Sequence, residues 1–347
     1  MQFIGIDVHK HICTAVVIDE SERIVAEYDD FPTTEKGLDE FISNFDPNDC
    51  RIVFENLTRA HFVFHYLYLR GYAVDVAHTG HGALKNISNV NLKSDKVDAC
   101  KLAYLCKDIW SGRLFIRRTH ISGQENMKLK ALVRMNNECS KIVEEMKLRV
   151  LEYMNLHNIT PHPRYKDVCG IRYRDYLLKM DDPALTVMVN MISAAKEQID
   201  YVSEKLKSFS ERSEDMKLLK TIKGVSDLTA ATIVTAIDGI YRFDSPQKLS
   251  AFFGLGLKNS SSADSEKTKV ITKEGDPLVR KYLANVVMNL STRCPECDVS
   301  KFFNAKRERM PYWKAATAAM RKLTCAIWAI LTYREPFRFH PEKRTEA

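Results

Sequence analysis

Short apolar runs and turns fill the first third of the chain. Residues 2–8, 11–18 and 22–28 have the β-branched and aromatic runs expected of strands, with Asp19-Glu20-Ser21 as a tight turn between the last two. Thr33 or Thr34 can cap a helix over 35–45 whose apolar face is Leu38, Phe41, Ile42 and Phe45. A strand at 51–55, a helix near 60–70 and a strand at 72–77 follow, then a loop with Gly80 and Gly82. A further helix starts around Asp95 and runs to about Cys106.

The period then changes. Residues 124–158 place Leu129, Leu132, Val133, Ile142, Val143, Met146 and Val150 among many charges, the pattern of a long amphipathic helix. Pro161 and Pro163 break it, and a second long segment covers roughly 184–209, with Val189, Ile192, Ile199, Val202 and Leu206 near heptad spacing. Two such helices suggest a coiled-coil arm, which either pairs within the chain or joins two copies. The last region opens with a helix, a turn around Gly224 and the small-residue helix Leu228 to Ile233, the pattern of a helix-hairpin-helix. Ser226 stands where a second glycine is usual. Such hairpins offer backbone N–H groups to phosphate, which makes Gly224 a candidate nucleic-acid contact. A polar loop, Ser260-Ser261-Ser262-Ala263-Asp264-Ser265, and helices containing Arg280 and Arg321 complete the chain.

Four acids stand at informative places in this pattern. Asp7 ends the run Phe3-Ile4-Gly5-Ile6, and Glu55 ends Arg51-Ile52-Val53-Phe54. Asp95 and Asp98, three apart at a helix start, project from one face. Carboxylates at two strand ends and one helix face can converge on a hard divalent ion, which keeps several waters and bridges phosphate oxygens. Acids also favour strand ends and helix N-termini for capping and dipole reasons alone. Three strands, a helix, then strand-helix-strand-helix with acids so placed predicts an α/β RNase H-like mixed sheet and phosphodiester chemistry. His9 and Lys10 follow Asp7, and strand alternation lets only one share its face; neither joins the expected catalytic set.

Charge sharpens this division. The 347 residues carry a formal net charge of +7, but residues 1–110 hold 11 Lys/Arg against 17 Asp/Glu. Residues 258–347 hold 18 Lys/Arg against 10 Asp/Glu. An acidic first module suits a metal site and a basic remainder suits a polyanion; uneven solvated charge is the plainer alternative. Lys273, Arg280, Arg321 and Lys322 are candidate phosphate contacts. The nine cysteines show no disulfide framework, and Cys294-Pro295-Glu296-Cys297 lacks the second pair that a tetrahedral zinc site needs. No basic stretch leads into an apolar run at the start, and no apolar stretch is long enough to span a bilayer, so a cytosolic protein without a membrane partner is expected.

Gly5-Ile6-Asp7-Val8-His9-Lys10, Glu55 and Lys93-Ser94-Asp95-Lys96-Val97-Asp98-Ala99 resemble the catalytic blocks of DEDD-type insertion-sequence transposases. That family includes the bridge-RNA-guided and the pilin-gene-inverting recombinases. Ile222-Lys223-Gly224-Val225, Phe253-Gly254-Leu255, the serine-rich loop, Ile271-Thr272-Lys273-Glu274-Gly275, Arg280 and Met320-Arg321-Lys322-Leu323 resemble its C-terminal pattern, in the right order. The resemblance implies a RuvC-like domain over 1–118, a helical coiled-coil region over 119–215, and a C-terminal, all-α transposase domain over 216–347. It implies Asp7, Glu55, Asp95 and Asp98 as ligands of Mg²⁺, with Mn²⁺ a possible substitute. It also implies a nucleophilic serine, which the ungapped register from Gly254 and back from Ile271 places at Ser262. Ala263 stands where the family has glycine, so Ser261 competes for the role, and Glu55-Asn56-Leu57-Thr58 departs from the usual Glu-Ala-Thr-Gly. No histidine lies within 216–339, so a local Ser-His pair is absent and the metal is the expected source of activation.

The activity so implied is cutting and rejoining of DNA through a covalent phosphoserine. Its implied partners are element ends and target DNA, a structured guide RNA, and further copies of the chain in a dimer or tetramer, all within the bacterial nucleoid. A hydrolytic RuvC-like nuclease or junction resolvase and a non-catalytic nucleic-acid-binding protein are the alternatives.

Overall fold

Alternation along five strands determines the first part of the fold. The computed structural model describes residues 1–77, 94–114, 119–260 and 268–338, with backbone alone at 258–260 and 268–270. They divide into two units, Met1–Gly123 and Gln124–Ala347.

In the first unit, β1 (Gln2–Val8), β2 (Ile12–Ile18), β3 (Ile24–Pro32), β4 (Cys50–Glu55) and β5 (Val74–Ala77) form one sheet in the order β3-β2-β1-β4-β5. β1, β2 and β3 pair antiparallel, whereas β4 runs parallel to both β1 and β5. Ile4, Ile6 and Val8 bury one face together with Ile52 and Phe54, against α1 (Glu35–Ile42) and α2 (Ala60–Tyr68). Phe3, Val16, Ile18 and Val53 bury the other against α3 (Asp95–Trp110). A mixed sheet covered by helices on both faces is compatible with the RNase H-like expectation.

Local chemistry fixes the element ends. The Asp19 carboxylate accepts from the Ser21 and Arg23 amides and closes the turn between β2 and β3. β3 runs on to Pro32 because Tyr28 and Phe31 still pack on Phe41, Phe31 stacked at 4.5 Å. Thr34 is the residue that caps α1, accepting from the Gly37 amide, while Thr33 is buried. β5 starts at Val74 and not at 72, since the Tyr72 amide still donates to the Leu67 carbonyl at the end of α2, while its hydroxyl donates to the carbonyls of Ile42 and Phe45.

The second unit begins with α4 (Gln124–Leu156), α5 (Ile171–Leu178) and α6 (Pro183–Arg212). α4 and α6 pair antiparallel. Val143, Met146 and Val150 share a core with Leu185, Val189 and Ile192, while Leu129 and Val133 share another with Val202 and Leu206. The heptad-like stripes therefore meet within one chain. Leu129 and Leu206 also enter the core of the following helices, α7 (Glu214–Lys220), α8 (Asp227–Ile237), α9 (Pro246–Phe252), α10 (Pro277–Arg293), α11 (Asp298–Arg307) and α12 (Tyr312–Tyr333). This region is not all-α as expected. β6 (Leu257–Ser260) and β7 (Thr268–Ile271) pair antiparallel, Leu257 opposite Ile271. Strands of four residues are too short to show a period of two in sequence. Cys294 and Cys297 are buried, with the Cys297 thiol 3.1 Å from the Ser300 hydroxyl, and all nine cysteines are free thiols. No helix among the described residues is long and apolar enough to cross a membrane.

Candidate active site

Gly5 brings the acids together. It occupies the α3 face of β1, and a Cβ there would lie 2.1 Å from the Ala99 carbonyl oxygen and 2.2 Å from the Ala103 nitrogen. Only a residue without a side chain lets the helix backbone rest on the strand backbone, and small Ala99 and Ala103 complete the contact. The N-terminus of α3 is fixed by Ser94, whose hydroxyl accepts from the Val97 amide. Asp95 and Asp98 therefore stand in the first turn of a helix docked beside Asp7, where the helix dipole favours negative charge.

Asp7 is 7% exposed. Burial pushes its carboxyl above the ordinary carboxylate range; His9 opposes that shift, and the charges of Asp95 and Asp98 add to it. The His9 imidazole Nε2 lies 3.3 Å from Asp7 Oδ2 and 3.4 Å from Asp95 Oδ2. Asp7, His9 and Asp95 each offer a donor atom, all within 4.8 Å of one another. Among the described residues these three are the group so placed. Asp98 turns to Lys101, whose ammonium donates at 3.0 Å. Glu55 follows Phe54, which pairs with Ile6, so Glu55 and Asp7 leave adjacent parallel strands side by side on the α3 face.

Of the four expected acids, the structure thus joins Asp7 and Asp95 most closely, sets Asp98 near enough to raise the Asp7 pKa, and puts Glu55 on the same face. His9 is the member that the sequence pattern alone did not bring into the set. Its signal lies in the alternation from Asp7, which points residue 9 and not residue 10 to that face. This donor set suits a cation: a buried carboxyl crowded by negative charge is relieved by one, and two carboxylates with an imidazole are ordinary ligands of divalent metals.

The expected nucleophile Ser262, its competitor Ser261, and Ser265 lie outside the described residues. The residues on either side of them, before β6 and after β7, are described. Arg280 donates from Nη1 to the carbonyls of Phe253 (3.1 Å) and Gly275 (2.8 Å), joining the turn before β6 to the turn after β7. The turn at Gly254 has φ +73°, and a Cβ there would meet that same guanidinium nitrogen at 2.9 Å. Arg280 thus ties these two turns together through Nη1 and is half-buried there. Lys273 is exposed at φ +57°, its amide bonded to the Gly254 carbonyl. Lys322 lies over the Phe302 ring at 5.2 Å, and Arg321 is half-buried beside it on α12. Gly224 makes the turn between α7 and α8, packed against the Asn289 side chain, while Ser226 caps α8 by accepting from the Thr229 amide.

Comparison with known proteins matches two stretches of the chain. A family model for DEDD-type transposases covers residues 4–159. A second, described as the transposase IS116/IS110/IS902 family, covers residues 216–303. Residues 160–215, with α5 and α6, fall in neither. The chain is 31% identical over 144 residues to the transposase for insertion sequence element IS1111A of Coxiella burnetii (strain RSA 493 / Nine Mile phase I). That match spans 41% of the chain and 40% of the relative's length.

Proposed function

The chain belongs to the IS110 family of insertion-sequence transposases, and from that premise we propose that it cuts and rejoins DNA with Ser262 as nucleophile. The observation that carries the proposal is the crowding of Asp95 and Asp98 on a buried Asp7, an arrangement that disfavours charge unless a cation is shared. Asp7, Asp95 and Glu55 would hold that divalent ion, with Asp98 in support. When bound, such an ion lowers the pKa of an attached oxygen nucleophile and offsets charge on a phosphate.

The chain's own residues have distinct parts in the proposed reaction. Asp7 and Asp95 bind, and Gly5 sets their separation by holding α3 on β1. The Ser262 hydroxyl forms a bond to phosphorus as the bond from phosphorus to the 3′ oxygen breaks. Its proton is lost, and the departing strand gains one to end as a 3′-OH. The resulting phosphoserine retains the ester for rejoining, so the reverse attack needs no outside energy source. Arg280 positions the base of the serine loop, while Lys273, Arg321, Lys322 and the backbone at Gly224 contact phosphates of DNA or of a guide RNA. Assembly into a dimer or tetramer is part of the same reading.

The test compares wild type, Asp7→Ala, Ser262→Ala and Ser261→Ala on element-end DNA with Mg²⁺ and cognate RNA, followed by denaturation. A protein-linked strand that requires Asp7 and Ser262 is the expected result. Cleavage that survives Ser262→Ala and Ser261→Ala would identify a hydrolytic nuclease, and binding without any cleavage a non-catalytic protein.

A further inference from the structure

We propose that His9 is a nitrogen ligand of the divalent ion and makes the site select Mn²⁺ over Mg²⁺, an inference that rests on the metal-dependent reading above. The backbone of His9 is held on both sides. Its amide donates to the Ile12 carbonyl at 3.0 Å, and its carbonyl accepts from the Thr33 hydroxyl at 3.0 Å. Thr33 is 3% exposed, sits 3.2 Å from the Cys13 thiol, and also donates its amide to the His11 carbonyl. A buried threonine on the connection from β3 to α1 thus clamps the turn between β1 and β2, so the position of residue 9 is set from the core.

The separations fit one shared ion. Metal–ligand bonds of about 2.0–2.2 Å place neighbouring donors roughly 3 Å apart. Nε2 of His9 is 3.3 Å from Asp7 Oδ2 and 3.4 Å from Asp95 Oδ2, so small adjustments would close the set. The plainer account is a surface contact between His9 and the two carboxylates, its side chain being 44% exposed; such pairs contribute little. The two accounts differ in what a metal would bring. Magnesium dehydrates reluctantly and takes oxygen ligands almost exclusively, whereas Mn²⁺, though it also favours oxygen, is a first-row transition ion that accepts an imidazole nitrogen more readily. A site of two carboxylates and an imidazole should therefore bind Mn²⁺ more tightly than the same carboxylates alone, with little gain for Mg²⁺.

Mn²⁺ bound to the full-length protein reports this directly by pulsed electron paramagnetic resonance. Wild type is expected to show ¹⁴N modulation that His9→Ala and His9→Gln lack. In competition, the Mg²⁺ needed to displace half the Mn²⁺ should fall about 10- to 100-fold in both variants. Mn²⁺ that binds wild type and is lost in Asp7→Ala, yet shows no ¹⁴N modulation, would overturn the role of His9 and leave the metal centre standing. That role fails equally if modulation persists in His9→Ala or the competition ratio does not move. Mn²⁺ that wild type does not bind, or that Asp7→Ala binds equally, would remove the metal centre itself and this inference with it. The wild-type spectrum needs no variant to fold.

Discussion

At Asp7 a carboxyl nearly closed off from water faces Asp95 and Asp98, with the His9 imidazole beside it. Burial and those two charges hold its pKa above the ordinary 3.8, so ionising Asp7 in the fold costs free energy that the unfolded chain does not spend. The cost is absent below 3.8, grows as pH rises through the window up to the raised value, and is full above it. Asp7→Asn should therefore raise the melting temperature of the metal-free protein at pH 7 by roughly a few degrees, and should lose that advantage in acid. Added Mn²⁺ or Mg²⁺ should stabilise wild type, by about 2.7 kcal/mol at a hundred times Kd, and leave Asp7→Asn unmoved. Thermal melts with chelator and with metal check both. The approach of Asp7 and Asp95 could be expected because each stands where an apolar pattern gives way to charge at an element end. For His9 the alternation from Asp7 gave only a face, because the clamp that fixes its backbone comes from Thr33, 24 positions away in sequence.

The docking of α3 on β1 depends on Gly5. In Gly5→Ala the new carbon would stand about 2 Å from the backbone of Ala99 and Ala103, closer than any packing tolerates, so the helix must lift. The expected loss is about 3 kcal/mol or more in urea unfolding, with Mn²⁺ affinity falling as Asp95 leaves Asp7. Arg280 is the corresponding residue for the serine loop. Arg280→Ala removes two charge-assisted bonds and should lower the stability of the second unit by about 2 kcal/mol. Arg280→Lys should recover only part of it, because a tetrahedral ammonium on a flexible stem does not hold the planar geometry in which Nη1 meets both carbonyls. Circular dichroism during denaturation measures each. Strands with five or more patterned residues, and helices such as α4 and α6 with several turns of apolar stripe, could be read from sequence to within a few positions. The β6–β7 pair could not, and neither could the backbone bonds of Arg280. Nothing in a basic segment marks one arginine as the tie between the carbonyls of Phe253 and Gly275, 27 and 5 positions before it.

Charge and core divide the molecule at the same place. Met1–Gly123 has its own two apolar layers on either side of one sheet and carries 14 Lys/Arg against 17 Asp/Glu. Gln124–Ala347 has helical cores of its own and carries 38 Lys/Arg against 28 Asp/Glu. A unit of either length buries enough apolar surface to fold unaided, so fragments 1–123 and 124–347 should each unfold in a single cooperative transition. Their ligands should part as the charges do. The first fragment should bind Mn²⁺ and not nucleic acid, since an acidic surface repels phosphate. The second should bind DNA or RNA through counterion release, with affinity falling about a thousandfold between 50 and 200 mM salt if some six phosphates are neutralised. Fluorescence anisotropy across a salt series measures the slope. Lys273→Ala and Lys322→Ala should each reduce that slope by about one if those side chains meet phosphate. A first fragment that bound nucleic acid as tightly as the second would show that charge balance does not set the division of labour.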